Sequence, residues 1–124
     1  MNDVSVNAAP PQPIQALDRL LKTTLPMGRI EVQPLPDCAT LRLGLIAADF
    51  PLGPLPADVM RAVIEAPAYW AFCWGSGLGL SQLLLAEPER VQGRTVLDLG
   101  AGSGVAGIAA MRAGATRVIA CDND

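Results

Sequence analysis

The feature that most constrains the fold is VLDLGAGSGVAG (residues 96–107), an apolar run that ends in a series of glycines. The apolar part is typical of a buried strand, and GVAGIAAMRAG is typical of a helix of small residues that Gly114 ends. A second strand, TRVIACD, follows. The order strand, glycine loop, helix, strand predicts a βαβ unit with parallel strands.

The glycines predict a ligand site. Gly100, Gly102 and Gly104 allow a tight turn with positive φ angles and present no Cβ to a ligand. In a βαβ unit the ligand lies at the carboxyl edge of the strands, over the N-terminus of the helix. Asp122 lies 18 residues after Gly104, at the end of the second strand, where an acid can accept hydrogen bonds from ribose hydroxyls. The spacing therefore predicts a nucleoside site.

Two classes of cofactor fit this spacing. Gly102, Gly104 and Gly107 match the G-x-G-x-x-G pattern of NAD(P)- or FAD-binding Rossmann oxidoreductases, a pattern that alone has little specificity. Asp98 ends the first strand, where an ionised carboxylate would repel a pyrophosphate and attract the ammonium group of a methionine moiety. The charge argument favours S-adenosyl-L-methionine, and the oxidoreductase stays as the alternative.

The same region resembles a known family. VLDLGAGSG resembles motif I of class I S-adenosylmethionine-dependent methyltransferases, and VIACDND resembles their second-strand acid. The whole stretch from Pro67 to the end of the chain, which begins PAYWAFCWGSGLGL, resembles the lysine methyltransferases of the electron-transfer-flavoprotein beta subunit and their bacterial relatives. LRLGLIAADFPLGP resembles the segment that precedes it in those proteins.

The resemblance implies an α/β fold, the first βαβ unit of a Rossmann-like sheet, and a methyltransferase that acts on lysine side chains of proteins. It also implies that Trp74 lines the cofactor pocket, although Gly75-Ser76-Gly77 stands where the family commonly has a Pro-Gly-Gly-like run. The predicted cofactor-binding residues are Trp74, Asp98, Gly100, Ala101, Gly102, Gly104 and Asp122. No catalytic residue is predicted, because in this family the groups that face the methyl acceptor follow later strands.

Simpler interpretations of these residues stay open. Asp98 has the alternative role of a cap for the loop amides, and Asp122 that of a turn residue next to Asn123. Trp74 has the alternative role of core packing. A non-catalytic remnant of the methyltransferase fold is a second alternative for the whole chain.

Three regions are predicted: a flexible tail at 1–13, an accessory α+β region at 14–66, and the amino-terminal half of a cofactor-binding domain at 67–124. The accessory region is expected to contain a helix from Ile14 to about Thr24, an antiparallel strand pair joined by a PDCAT turn, and a short helix that starts near Pro56 or Asp58.

The segment before motif I is expected to form a helix that runs to about Ala86, with Leu80, Leu83 and Leu84 facing inward. The strand RTVLDLG is expected to be central in a larger sheet, so that one of its edges lies open in this chain. We therefore expect an incomplete domain that binds cofactor poorly in isolation and tends to associate.

Composition and charge exclude several functions. The net charge of −3 and the absence of a basic run argue against nucleic-acid or anionic-membrane partners. No apolar run reaches the roughly 20 residues that cross a bilayer, and a signal peptide is not recognised. Three scattered cysteines and no histidine argue against a metal site or a disulfide framework. A cytoplasmic protein is expected.

Overall fold

The computed structural model describes residues 12–51 and 53–123. Its helices and strands follow in the order α1 (Gln12–Thr24), β1 (Ile30–Leu35), β2 (Cys38–Ile46), α2 (Ala57–Glu65), α3 (Gly75–Ala86), β3 (Thr95–Leu99), α4 (Val105–Arg112) and β4 (Arg117–Cys121). The chain is therefore α/β, as predicted. The predicted tail lies outside the described residues except for Gln12 and Pro13, which begin α1.

Strands β1 and β2 form an antiparallel hairpin, which confirms the prediction for this segment. Ile30 lies opposite Ile46, the register continues to Pro34 opposite Arg42, and it then shifts so that Leu35 lies opposite Cys38. The turn is shorter than the predicted PDCAT because Cys38 already pairs with β1. Asp37 alone provides the left-handed backbone of the turn, with a φ of 51°, a conformation that aspartate tolerates better than most residues.

Helix α1 packs against one end of this hairpin. Leu21 is fully buried, and the Ile30 amide donates to Asp18 Oδ1 at 2.8 Å. The hydrogen bond from Lys22, followed by that of the Ile30 amide, lowers the pKa of Asp18. A Cβ added to Gly44 would stand 2.8 Å from Ile14 Cδ1, so a larger residue there would require the Ile14 side chain to move.

The larger core joins the hairpin to helices α3 and α4. Alternate residues of β2 face it, as expected for a strand with one buried side. Its buried members are Leu35, Cys38, Leu41, Leu43, Leu45, Leu84, Val91, Val105, Ala109, Ala110, Ala113 and Ala115. Arg112 Nη2 also donates to the Thr40 carbonyl oxygen at 3.0 Å. The hairpin therefore supports α4, whose N-terminus borders the glycine loop.

The predicted inward face of α3 is wrong in two of its three leucines. Leu84 is buried, but Leu80 and Leu83 are exposed by 45% and 38%. The buried stripe of α3 instead includes Ser81, and Gly77 allows a close approach to α4. Small residues orient this helix because close packing between two helices requires them at the point of contact.

Strands β3 and β4 are parallel and pair along their whole length, with Asp98 opposite Ala120. Helix α4 connects them, so the strand, loop, helix and strand order is confirmed. The expectation that β3 is buried is wrong for one face: Leu97 and Leu99 are 60% and 80% exposed. Within the described ranges, helix α4 packs on the other face, where Val118 lies.

Within residues 12–51 and 53–123, no helix has both the length and the apolar character needed to span a membrane.

Candidate functional site

The glycine loop has the backbone that its sequence predicts. Gly100, Gly102 and Gly104 have φ values of 71°, 52° and 79°, all in the left-handed region. A Cβ added to any of the three would meet no atom within 4 Å. The glycines are therefore needed for the turn itself, and the space beside the loop stays open to a ligand.

Hydrogen bonds attach this loop to the end of β4. The Gly100 and Ala101 amides donate to the Cys121 carbonyl oxygen at 2.8 and 3.0 Å. The Gly102 amide donates to Asp122 Oδ2 at 2.6 Å, and the Asn123 amide donates to Asp122 Oδ1 at 2.8 Å. The Asp122 carboxylate is thus held at the rim of the loop by two backbone amides.

A cavity of about 450 Å³ lies where the loop meets the strand ends. It is lined by Leu99, Gly100, Cys121, Asp122 and Asn123. This volume lies within the range of small-molecule sites. The cavity occupies the carboxyl edge of the parallel strands, where the sequence predicts the ligand.

Asp98 contacts the helix rather than the loop. Its Oδ2 accepts a hydrogen bond from the Gly107 amide at 2.9 Å. Gly107 is the third residue of α4, so its amide has no acceptor within the helix. The carboxylate therefore caps α4 from the sheet, where the helix dipole also favours a negative charge. The capping role that was the alternative for Asp98 is therefore present, but the amide belongs to α4 rather than to the loop.

The two acids lie at the same end of the βαβ unit. Asp98 pairs with Ala120, and Asp122 follows two residues later, just after the neighbouring strand ends. Each accepts a hydrogen bond from a backbone amide of the loop and helix segment, Gly102 in one case and Gly107 in the other. The negative charge of the site is therefore concentrated around the loop and the first turn of α4.

Gly107 allows α4 to approach the sheet closely. A Cβ at this position would stand 3.0 Å from both Asp98 Oδ2 and Val118 Cγ1. Such distances are shorter than ordinary van der Waals contact between side chains. The fourth glycine of the opening motif thus serves the packing of α4 rather than the turn.

Trp74 lies immediately before α3, at the same end of the helix pair as the glycine loop. Its indole Nε1 donates to the Tyr69 carbonyl oxygen at 3.1 Å, and its ring centroid lies 5.7 Å from that of Phe72. The Trp74 residue is 52% exposed, so it is not a core residue. Three residues later, Gly77 contacts Val105 of α4, which brings the two helix N-termini together.

The thiol of Cys73, the residue before Trp74, is not activated as a nucleophile. Burial, with a smaller effect from nearby Cys38, raises the pKa of Cys73 above its usual value. A raised pKa keeps the group protonated at neutral pH, and the thiolate is the reactive form.

The structure brings six of the seven predicted residues to the loop and the strand ends, and it places Trp74 at the start of the adjacent helix. Sequence reasoning missed Cys121, whose carbonyl oxygen holds the loop, and Asn123, which lines the cavity. Every residue has a backbone carbonyl, so the side chain at position 121 gives no signal of this contact. Sequence analysis named Gly77 only as part of the Gly75-Ser76-Gly77 run after Trp74 and gave it no role in helix packing.

Known proteins resemble the chain in this region. The family model for ribosomal protein L11 methyltransferase (PrmA) matches residues 80–124. The electron transfer flavoprotein beta subunit lysine methyltransferase of Homo sapiens is 50% identical over 56 residues, which are 45% of this chain and 21% of the relative. Its Xenopus laevis counterpart is 52% identical over 56 residues, 45% of this chain and 23% of the relative.

A second kind of relative covers slightly more of the chain. The protein N-terminal and lysine N-methyltransferase EFM7 of Cryptococcus neoformans is 38% identical over 64 residues, 52% of this chain and 21% of the relative. The chain spans about a fifth of the length of the curated relatives it matches. The predicted resemblance to class I S-adenosylmethionine-dependent methyltransferases is confirmed for this part of the chain.

Proposed function

We propose that this protein is an S-adenosyl-L-methionine-dependent methyltransferase that modifies lysine side chains of a protein partner. In this proposal, β3, α4 and β4 are the first βαβ unit of a Rossmann-like sheet and carry the cofactor on their carboxyl edge. The matched relatives are named as methyltransferases of protein lysines, and these names support the choice of acceptor.

The choice of cofactor depends on one observation: two backbone amides of the site donate hydrogen bonds to carboxylates. A dinucleotide site directs the amides of the glycine loop and the helix N-terminus at a pyrophosphate. Here the Gly102 amide donates to Asp122 and the Gly107 amide to Asp98. Residues 98–111 and 118–123 contain no lysine or arginine. This charge distribution disfavours a phosphate and favours a cation.

Each group at the site has a role in holding such a cofactor. The Asp122 carboxylate stands at the strand end beside the loop, where an acid accepts hydrogen bonds from the ribose hydroxyls. The Asp98 carboxylate attracts the ammonium group of the methionine moiety. The glycine loop lets the ligand approach the backbone, and the exposed Trp74 ring covers it as an apolar and cation-attracting surface.

The cofactor supplies an electrophilic methyl group on a sulfonium sulfur. Transfer to an amine requires in-line alignment and an unprotonated amine at the moment of attack. The residues of this site fix the position and orientation of the cofactor. Their negative charge disfavours the binding of a competing ligand that contains phosphate. No described residue is assigned to the acceptor or to proton transfer.

A methyl-transfer assay tests this proposal. Full-length protein is incubated with methyl-labelled S-adenosylmethionine and electron transfer flavoprotein, the substrate named for the relatives, and the products are mapped by mass spectrometry. We expect methyl groups on lysine side chains of the beta subunit, and none when the protein is omitted. Binding of the cofactor without transfer to this or any other protein would support the non-catalytic alternative. Binding of NAD or FAD instead would favour the oxidoreductase.

A further inference from the structure

Three glycines occupy alternate positions at the start of α3, and one of them differs from the others. A Cβ added to Gly77 would stand 2.7 Å from Val105 Cγ1, a distance that real side chains do not tolerate. A Cβ added to Gly75 or Gly79 would meet no atom within 4 Å. Of these three glycines, only Gly77 lies at the close contact between α3 and α4.

The contact falls on the residue that follows the glycine loop. Val105 is the first residue of α4, and Gly104 before it caps the helix with a left-handed backbone. The Ile108 amide donates to the Gly104 carbonyl oxygen at 3.0 Å, so the cap and the first turn move together. Any displacement of Val105 is therefore transmitted to Gly104 and the rest of the loop.

Neither partner can yield easily. Valine is branched at Cβ and has one strongly preferred rotamer in a helix, so its methyl group cannot rotate away at low cost. Val105 is only 4% exposed and belongs to the larger core. On the α3 side, the fully buried Ser81 hydroxyl donates to the Gly77 carbonyl oxygen at 2.7 Å. That hydrogen bond lies within α3 and holds its first turns together, so relief of a clash requires the N-termini of α3 and α4 to separate, which displaces the start of α4 relative to α3.

We propose that Gly77 is a positioning residue for the cofactor site: its contact with Val105 sets the location of the glycine loop. This inference rests on the proposed function for its cofactor. It assigns a role to the glycine-rich start of α3 that is separate from the neighbouring Trp74 and that acts through the backbone of α4 rather than through contact with the ligand.

The test compares Gly77→Ala with Gly79→Ala in the full-length protein, by calorimetric titration with S-adenosylmethionine. We expect Gly77→Ala to weaken binding about tenfold, because overpacking shifts the loop. Gly79→Ala makes the same chemical change in the same helix and should leave affinity unchanged, while its gain in helix propensity preserves or raises the melting temperature. Val105→Ala added to Gly77→Ala removes the opposing methyl groups and should restore most of the affinity.

A second readout needs no ligand. Amide chemical shifts of Gly100, Gly102 and Gly104 should change in Gly77→Ala, return toward wild type in the double variant, and stay constant in Gly79→Ala. Wild-type affinity in Gly77→Ala, or a loss that Val105→Ala fails to recover, overturns the inference. If the wild-type protein does not bind S-adenosylmethionine, the proposed function fails, and unchanged loop shifts in Gly77→Ala would separately refute the positioning role.

Discussion

Asp122→Ala should weaken the binding of S-adenosylmethionine by at least about a hundredfold, since hydrogen bonds to a charged group contribute about 1.5–3 kcal/mol each. The variant removes the acceptor of the ribose hydroxyls. It also removes the acceptor of the Gly102 amide, which donates to this carboxylate at 2.6 Å, so the loop loses one of its attachments to β4. Calorimetric titration of the full-length variant measures the effect.

Two further variants make this result specific. Asp122→Asn keeps the shape and one acceptor oxygen, and should give an intermediate affinity. Arg117→Ala changes an exposed residue at the opposite end of β4, outside the lining of the cavity. It should bind the cofactor nearly as well as wild type. Wild-type affinity in Asp122→Ala would remove this acid from the site.

Gly107→Val should lower the free energy of unfolding by about 3 kcal/mol, the largest effect on stability that we expect. Its Cβ would stand 3.0 Å from the Asp98 carboxylate and from Val118, so α4 must move away from the sheet. That movement also breaks the 2.9 Å hydrogen bond between the Gly107 amide and Asp98. Urea unfolding followed by circular dichroism provides the measurement.

The matched control is Gly79→Val, the same substitution on an exposed helical position where a Cβ meets no atom within 4 Å. Its effect on stability should stay within about 0.5 kcal/mol. Equal unfolding free energies for the two variants would contradict the close packing of α4 on β3 and β4.

The glycine loop could be predicted from sequence because its constraint is local. A tight turn with three left-handed residues requires glycine at those positions, and the strand before it and the helix after it have distinct periodicities. The spacing then fixes Asp122 at the end of β4, next to the loop. These elements depend little on the rest of the chain, so the structure agrees with them.

The orientation of α3 could not be predicted in this way. Its sequence, GSGLGLSQLLLA, has leucines around most of the helix, so hydrophobic periodicity selects no single face. The choice depends on where a helix can approach most closely, which Gly77 and Ser81 decide. For β3, the apolar sequence predicted a buried strand, yet Leu97 and Leu99 lie exposed within the described part of the chain.

The role of Asp98 in the fold was also hidden from sequence. Its acceptor contact is with a helix residue nine positions away, and the identity of that residue matters only through a backbone amide. Sequence analysis favoured a ligand contact for the carboxylate and left a cap for the loop amides open, whereas the structure gives it a hydrogen bond from an amide in the first turn of α4. The proposed ammonium contact stays a prediction.

The most direct test of the central claim is a crystal structure of the full-length protein with S-adenosylmethionine. We predict that the ribose hydroxyls contact the Asp122 carboxylate, with the methionine ammonium group on the side of Asp98 and the nucleoside against Gly100 and Gly102. A complex in which a dinucleotide binds instead, with its diphosphate across the amides of the loop and the first turn of α4, would contradict the account.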